Sequence, residues 1–167
     1  MNTTAKLRRL QQVLEPELLK ILPDAILPQG DDYLAFEQYL ITKKQNGWMV
    51  MQDRKDPREF GSARTALSWC IAEKHHQSHV SVQIHQLDRE RDMLIADIDT
   101  RSHLKSRIKD IHVRESVDAK IASRRQRLHW VQTNLDKWVN VAKYWQIRGF
   151  NNETSRTGRT PSHRTNR

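Results

Sequence analysis

The sequence predicts an α+β fold that is predominantly helical: a small ββα module, then a long antiparallel helical hairpin, then a disordered basic C-terminal tail. The 87 residues between Gly61 and Gly149 contain neither glycine nor proline and are rich in Arg, Lys, Gln, Leu and Ile, which is typical of long helices. Asn46-Gly47 lies between two aromatic and branched runs, the pattern of a β-hairpin. These observations divide the chain into short N-terminal helices (1–30), the ββα module (31–78), a long helical or coiled-coil region (79–148) and the tail (149–167).

The N-terminal segment is predicted to form two short helices. The first spans residues 3–14, with Leu7, Leu10, Val13 and Leu14 on one side. Pro16 suits the first turn of the second, whose apolar residues are Leu18, Leu19, Ile21 and Leu22. Arg8 and Arg9 make the first helix basic, but two arginines are too few to indicate a membrane surface, so we expect this helix to pack against the next unit.

The ββα module is predicted from a hairpin and a capped helix. Tyr33–Lys43 and Trp48–Met51 are interpreted as strands joined at Asn46-Gly47, with a brief third strand over Arg58–Phe60. Ser62 is the expected N-cap of the following helix. Helical spacing then places an apolar stripe on the side facing the hairpin: Ala63, Ala66, Leu67, Cys70 and Ile71.

The long helical region shows a heptad pattern. From Val117 to Trp145 the spacing alternates between four and three residues, with the charged Arg124 at one of these otherwise apolar positions, which predicts a seam of a and d positions. The spacing of Leu104, Ile108 and Ile111 is out of phase with this seam, so we predict a reversal over 112–116 with Ser116 starting the second helix. A continuous rod is the alternative, because no glycine marks a bend. Gly149 is expected to end the last helix.

We interpret the residues that could carry catalysis or hold a cofactor as structural residues. The glycine-rich phosphate loops and the nucleophile elbow are missing from the sequence. His75 and His79 have the spacing of paired metal ligands but lack the HExxH arrangement, so we assign them to a helix junction. The acidic residues of the 88–99 segment alternate with arginines and are interpreted as surface ion pairs. We therefore expect a non-enzymatic protein with no metal, cofactor or small-molecule substrate.

Composition limits the compartment and the partner. The single Cys70 cannot form an internal disulfide, and no apolar run approaches the length of a membrane span, so we expect a cytoplasmic protein with no membrane partner. The net charge of +9 and the pI near 10.0 favour an anionic partner. The basic excess lies in the rear half: residues 81–148 carry 14 basic and 9 acidic residues. Such a composition also suits an accessory protein of a bacteriophage or mobile element, for which the virion is a second location.

Two functions follow as hypotheses. The first is binding of nucleic acid, DNA or RNA, through phosphate contacts of the last helix and the tail, from Lys120, Arg124, Arg125, Arg127, Arg156, Arg159, Arg164 and Arg167. Trp130 and Tyr144 could stack on bases, whereas Trp138 and Trp145 lie on the seam and are assigned to the core. The alternative is a structural protein that self-assembles or binds a partner helix through Val117, Ile121, Leu128, Val131, Leu135, Trp138 and Trp145.

Overall fold

The computed structural model describes residues 26–157, with side chains up to Arg148, and shows a sheet followed by three helices. The expectation of an α+β chain that is mostly helical is confirmed. Predictions for residues 1–25, including the helix over 3–14, and for residues 158–167 lie outside the described residues. Within the described part, no helix combines the length and apolarity needed to cross a bilayer. The elements are β1 (Ile26–Gln29), β2 (Asp32–Ala35), β3 (Tyr39–Lys44), β4 (Gly47–Gln52), β5 (Arg58–Phe60), α1 (Ala63–Lys74), α2 (Ser78–Lys105) and α3 (Ile111–Thr157).

The sheet has five antiparallel strands in sequence order, so the prediction of two strands and a brief third underestimates the number of strands. The predicted strand over Tyr33–Lys43 is divided into β2 and β3 by a turn. Phe36 and Glu37 adopt φ values of 53° and 59° there, and the Gln38 amide donates to the Ala35 carbonyl at 3.1 Å. This left-handed turn uses no glycine and was therefore not marked in the sequence.

The turn between β3 and β4 is made by Gln45 and Asn46, one position earlier than the predicted Asn46-Gly47. Gly47 is the first residue of β4 and pairs with Lys44. Its φ is 140°, and a Cβ atom at this position would lie 2.5 Å from the Phe60 carbonyl oxygen. Glycine is needed here because the backbone of β5 approaches closely.

Helix α1 packs on one face of the sheet and begins at the predicted cap. The Ser62 hydroxyl accepts a hydrogen bond from the Thr65 amide at 3.2 Å. The predicted apolar stripe is buried against Ile41, Val50 and Phe60 of the sheet. Burial raises the pKa of the Cys70 thiol, and burial with the nearby Cys70 and Glu73 raises the pKa of Tyr39 to about 12.

Helices α2 and α3 lie side by side in opposite directions. Three ion pairs show this order, because their positions rise along α3 as they fall along α2: Lys105 with Asp118, Asp97 with Arg124, and Glu90 with Arg127. A continuous rod is incompatible with these contacts.

Both ends of α3 differ from the prediction. The reversal lies at 106–110, before the predicted 112–116, because Asp110 caps α3 by accepting from the His112 amide at 2.9 Å. The helix then continues through Gly149 to Thr157, so the predicted end is wrong. A glycine inside a helix costs only about 1 kcal/mol, which neighbouring turns can offset.

The predicted seam is covered within this chain. Val131, Leu135, Val139 and Ala142 of α3 are fully buried, and Ile121 is nearly so. Leu128, Trp138, Val117 and Trp145 are half-buried. Because α3 contacts α1 as well as α2, its buried face is shifted relative to a two-helix seam and includes Val139, which the heptad reading omits.

A buried carboxylate joins the sheet, α1 and α2. Asp88 is fully buried, and its oxygens accept hydrogen bonds from the Gly61 amide (2.9 Å), the Thr65 hydroxyl (2.6 Å) and the Arg91 guanidinium (2.7 Å). Arg89 donates to the same carboxylate at 2.9 Å. The interpretation of this acidic segment as surface pairs is therefore wrong for Asp88, because its partners Gly61 and Thr65 lie in another part of the sequence.

We expect Asp88→Ala to lower the free energy of unfolding by about 3–5 kcal/mol, because the Gly61 amide, the Thr65 hydroxyl and the Arg91 guanidinium lose the buried acceptor that they share. Urea denaturation measures this change. Asp99→Ala on the exposed side of the same helix is the matched control and should change stability by no more than about 0.5 kcal/mol. Equal midpoints for the two variants would show that Asp88 does not hold these elements together.

Candidate nucleic-acid interface

The predicted basic cluster of α3 is divided between structural and free cations. Arg124 Nε lies 3.1 Å from Asp97 Oδ2, and Arg127 Nε lies 2.7 Å from Glu90 Oε1, so both side chains join α3 to α2. Lys120 and Arg125 are exposed, and neither has a carboxylate partner in the described part of the chain. They are about 140° apart around the helix, so they project to different sides.

The tail cations of the nucleic-acid hypothesis lie beyond the side chains that the structure describes. Arg156 belongs to α3, but the side chains beyond Arg148 are outside the described part. Arg159, Arg164 and Arg167 lie outside the described residues altogether.

One side of α3 carries cations and aromatic rings without acids. At about 100° per residue, these side chains fall within roughly a third of the helix circumference. The acidic residues of the described part of α3, Glu115, Asp118 and Asp136, project elsewhere. We call this surface the cationic–aromatic stripe, and it consists of Lys120, Arg127, Trp130, Lys137, Trp138, Tyr144, Trp145 and Arg148. From Lys120 to Arg148 it extends for about 42 Å.

Three cations of the stripe lie against neighbouring rings. The Arg127 guanidinium is 4.3 Å from the centroid of Trp130, the Lys137 ammonium is 5.6 Å from Trp138, and the Arg148 guanidinium is 5.5 Å from Trp145. Such contacts restrain the cation over the ring face while leaving its outer donors accessible. The Lys137 and Arg148 pairs therefore offer a positive charge next to an aromatic surface, whereas the Arg127 guanidinium is also bonded to Glu90.

The stripe retains uncompensated positive charge. In the described part of the chain, Lys120, Lys137 and Arg148 have no carboxylate partner. Arg127 differs, since its hydrogen bond to Glu90 raises the pKa of its guanidinium and offsets part of its charge. An extended positive surface of this kind can neutralise a run of phosphates.

Two of the four rings are open to solvent. Trp130 is 48% exposed and Tyr144 is 58% exposed, so both can receive a flat ligand. Trp138 and Trp145 are half-buried, and Trp138 packs edge-on to His79 with 6.2 Å between centroids. The prediction that Trp138 and Trp145 belong wholly to the core therefore overstates their burial. The sequence hypothesis missed Lys137 and Arg148, which the helical spacing from Trp130 would have revealed.

His75 at the α1–α2 junction and His85 within α2 both make structural contacts. His75 Nε2 lies 2.9 Å from Gln146 Oε1 on α3, and the His85 ring packs on Phe60 at 5.2 Å. Burial, followed by the charges of Arg58 and Arg89, lowers the pKa of His85. In residues 26–148 no group of three or more His, Cys, Asp or Glu side chains is arranged to hold a metal ion.

We expect His85 to make the protein less stable in mild acid. Its folded-state pKa is below the ordinary value of 6.5, so the unfolded chain takes up the proton first as the pH falls through that value. Stability is therefore fully present above pH 6.5 and declines below it. Thermal melting across this range should show a smaller decline for His85→Gln than for the natural chain. The exposed His103→Gln is the control, and identical slopes for all three proteins would contradict the assignment.

Comparison with known proteins adds no functional assignment to this surface. A scan against protein-family models, a search of curated proteins and a search of solved structures each find no match. The geometry and charge of α3 are thus the basis on which a function is proposed.

Proposed function

We propose that this protein is a non-enzymatic nucleic-acid-binding protein whose cationic–aromatic stripe takes a single-stranded segment. The observation that carries the proposal is the alternation of free cations and open rings along about 42 Å of α3, with no acid in that sector. Cations would neutralise phosphates while Trp130 and Tyr144 stack on bases. The proposed partner is still nucleic acid, as the sequence hypothesis has it, but the residues proposed to contact it are different.

A single strand fits the stripe better than a duplex. The faces of bases are available in a single strand, whereas in a duplex they are stacked on one another. Exposed rings such as Trp130 and Tyr144 gain little from a phosphate backbone but about 1–3 kcal/mol from each stacked base. Phosphate contacts alone would require only Lys120, Lys137 and Arg148.

Arg124 and Arg125 are not among the residues that we propose to contact the nucleic acid. Arg124 is engaged with Asp97, and its removal would act first on the packing of α3 against α2. Arg125 is exposed but lies roughly opposite the stripe. It therefore provides a cation of the same helix that should not contact a ligand bound along the stripe.

We expect the double variant Trp130→Ala/Tyr144→Ala to bind a labelled single-stranded oligonucleotide at least about tenfold more weakly, because two stacking surfaces are lost. Fluorescence anisotropy at low salt measures the affinity, with DNA, RNA and duplex probes in parallel. Trp130→Phe/Tyr144→Phe retains the rings and should retain most of the affinity. Failure of the natural chain to bind any of the three probes at low salt would remove the proposal.

We expect Lys120→Ala/Lys137→Ala to reduce the slope of log affinity against log salt by about 1.4, since each lost phosphate contact on a single strand contributes about 0.7. Anisotropy titrations at several salt concentrations give this slope. Arg125→Ala is the matched control and should leave it unchanged. An equal loss in Arg125→Ala would mean that the charge of the whole helix, rather than the stripe, attracts the ligand.

Self-assembly is a second candidate, favoured by a different surface from the predicted seam. Leu135 and Val131 are buried inside the chain, so a charge at Leu135 should unfold the protein rather than dissociate copies. Large apolar side chains are instead exposed where α2 turns into α3, at Leu104, Ile111 and Val113. Light scattering should show a mass above the monomer that Ile111→Glu lowers, and a monomeric natural chain would exclude this candidate.

A further inference from the structure

The sheet has a second apolar face, away from α1. Directly paired residues of neighbouring strands project to the same face, so the register defines its members. Leu27 pairs with Leu34, Leu34 with Leu40, and Leu40 with Met51, which makes one apolar row across four strands. We call the apolar centre of this side the open sheet face, and it consists of Leu27, Leu34, Leu40, Thr42, Met49 and Met51. The same register places the polar residues Gln29, Asp32, Lys44 and Glu59 around it. None of these side chains belongs to the buried core, which lies on the α1 side.

An antiparallel sheet with one face in water ordinarily alternates apolar and polar residues along each strand. This sheet instead carries Leu and Met on the side that none of the described helices covers. The hydroxyl oxygen of Thr42 is also enclosed on this side without a hydrogen-bond partner in the described part of the chain. The apolar centre of this side, with polar residues only at its borders, is therefore suited to an apolar occupant.

The size of the face argues against a second copy as that occupant. Five strands about 4.8 Å apart span about 20 Å, and strands of three to six residues are about 10–20 Å long, so the face covers roughly 300 Å². A stable protein–protein interface buries about 800 Å² on each partner. Even allowing for the relief of its side chains, the open sheet face is smaller than this area.

Residues 1–25 offer an occupant of matching size and composition. This segment leads directly into β1, whose second residue, Leu27, lies on the open sheet face. It contains eight large aliphatic residues between Leu7 and Leu22. The two short helices predicted for it, each about 10 Å wide, would cover about 20 Å side by side, and twelve residues of helix are about 18 Å long. Covalent attachment also reduces the entropic cost that a separate partner would pay.

We propose that residues 3–22 dock on the open sheet face and cover Leu34, Leu40 and Met51 with their own leucines. This interaction is independent of the cationic–aromatic stripe. It makes the sheet the middle layer between α1 on one side and the N-terminal segment on the other.

Thiol labelling of the full chain tests the proposal. Cys70 is fully buried and its thiol pKa is raised, so the natural chain provides a slow background. A reporter cysteine at Met49→Cys should react slowly with a maleimide. Adding Leu10→Asp should increase its rate by about tenfold, because the charge opposes docking and opens the face more often. Met51→Cys is the second reporter and is used if Met49→Cys does not fold by circular dichroism.

Gln12→Asp is the matched control, because it adds the same charge on the predicted polar side of the first helix and should leave the rate low. A cysteine at the exposed Ser123 gives the rate of an open site. A Met49→Cys rate equal to that of Ser123→Cys, or a rate unchanged by Leu10→Asp, overturns the proposal. A slow rate that rises on dilution of the protein would assign the face to a second copy and would also overturn it.

Discussion

The arrangement of the described helices depends on the buried carboxylate of Asp88. One side chain on α2 accepts from the first turn of α1, from the backbone that follows β5, and from two arginines of its own helix. An unpaired carboxylate would be very costly at this depth, so the charge tolerates only positions of α1 and α2 that keep its donors in place. The sheet is tied to α2 by the same contacts, because Gly61 directly follows β5. Apolar packing alone would allow more than one relative position of these elements.

Two kinds of contact position helix α3: buried apolar contacts and ion pairs at the edge of the interface. Its buried side chains fill the groove between α1 and α2, and ion pairs at the rim fix its register, including Arg64 with Asp136 at 2.7 Å. Exposed ion pairs contribute little stability, since the median is below about 1 kcal/mol, but like-charge contacts in a shifted register would be unfavourable. The rim arginines therefore act mainly on alignment. An uninterrupted α3 held in this register keeps the cationic–aromatic stripe, from Lys120 to Arg148, on one side of the helix.

The sequence predicted those features that depend on neighbours along the chain. Ser62 caps α1 and the Ala66-to-Ile71 stripe is buried, because both follow from helical spacing alone. The turn at Phe36 was missed because its left-handed residues are neither glycine nor asparagine, and the turn is supported by Phe36 packing under Lys74. The end predicted at Gly149 is wrong because one glycine costs a helix only about 1 kcal/mol, which the helical turns on either side can offset.

The sequence also did not reveal which cations of α3 pair with carboxylates, because the paired residues lie far apart in the sequence. Arg127 and Arg124 look equivalent to Lys120 in the sequence, but Glu90 and Asp97 lie 37 and 27 residues before their partners. The same limit applies to Asp88, whose donor Thr65 is 23 residues away. By contrast, the stripe follows from spacing within one helix, so helical geometry could have identified it once the extent of α3 was known.

The position of the exposed rings on α3 bears on function because they lie outside the buried face of the helix. A helix packed in a groove needs an apolar sector of about 100° or somewhat more, and Val131, Leu135, Val139 and Ala142 supply it. Trp130 and Tyr144 lie outside that sector, and about half of each side chain is exposed. Exposed aromatic surface promotes association with other molecules, and the cations beside it set the sign of charge that the associated molecule carries. Acidic proteins meet the charge requirement, but stacked planar rings next to regularly spaced anions are a property of nucleic acids, which is why the stripe favours that class of partner.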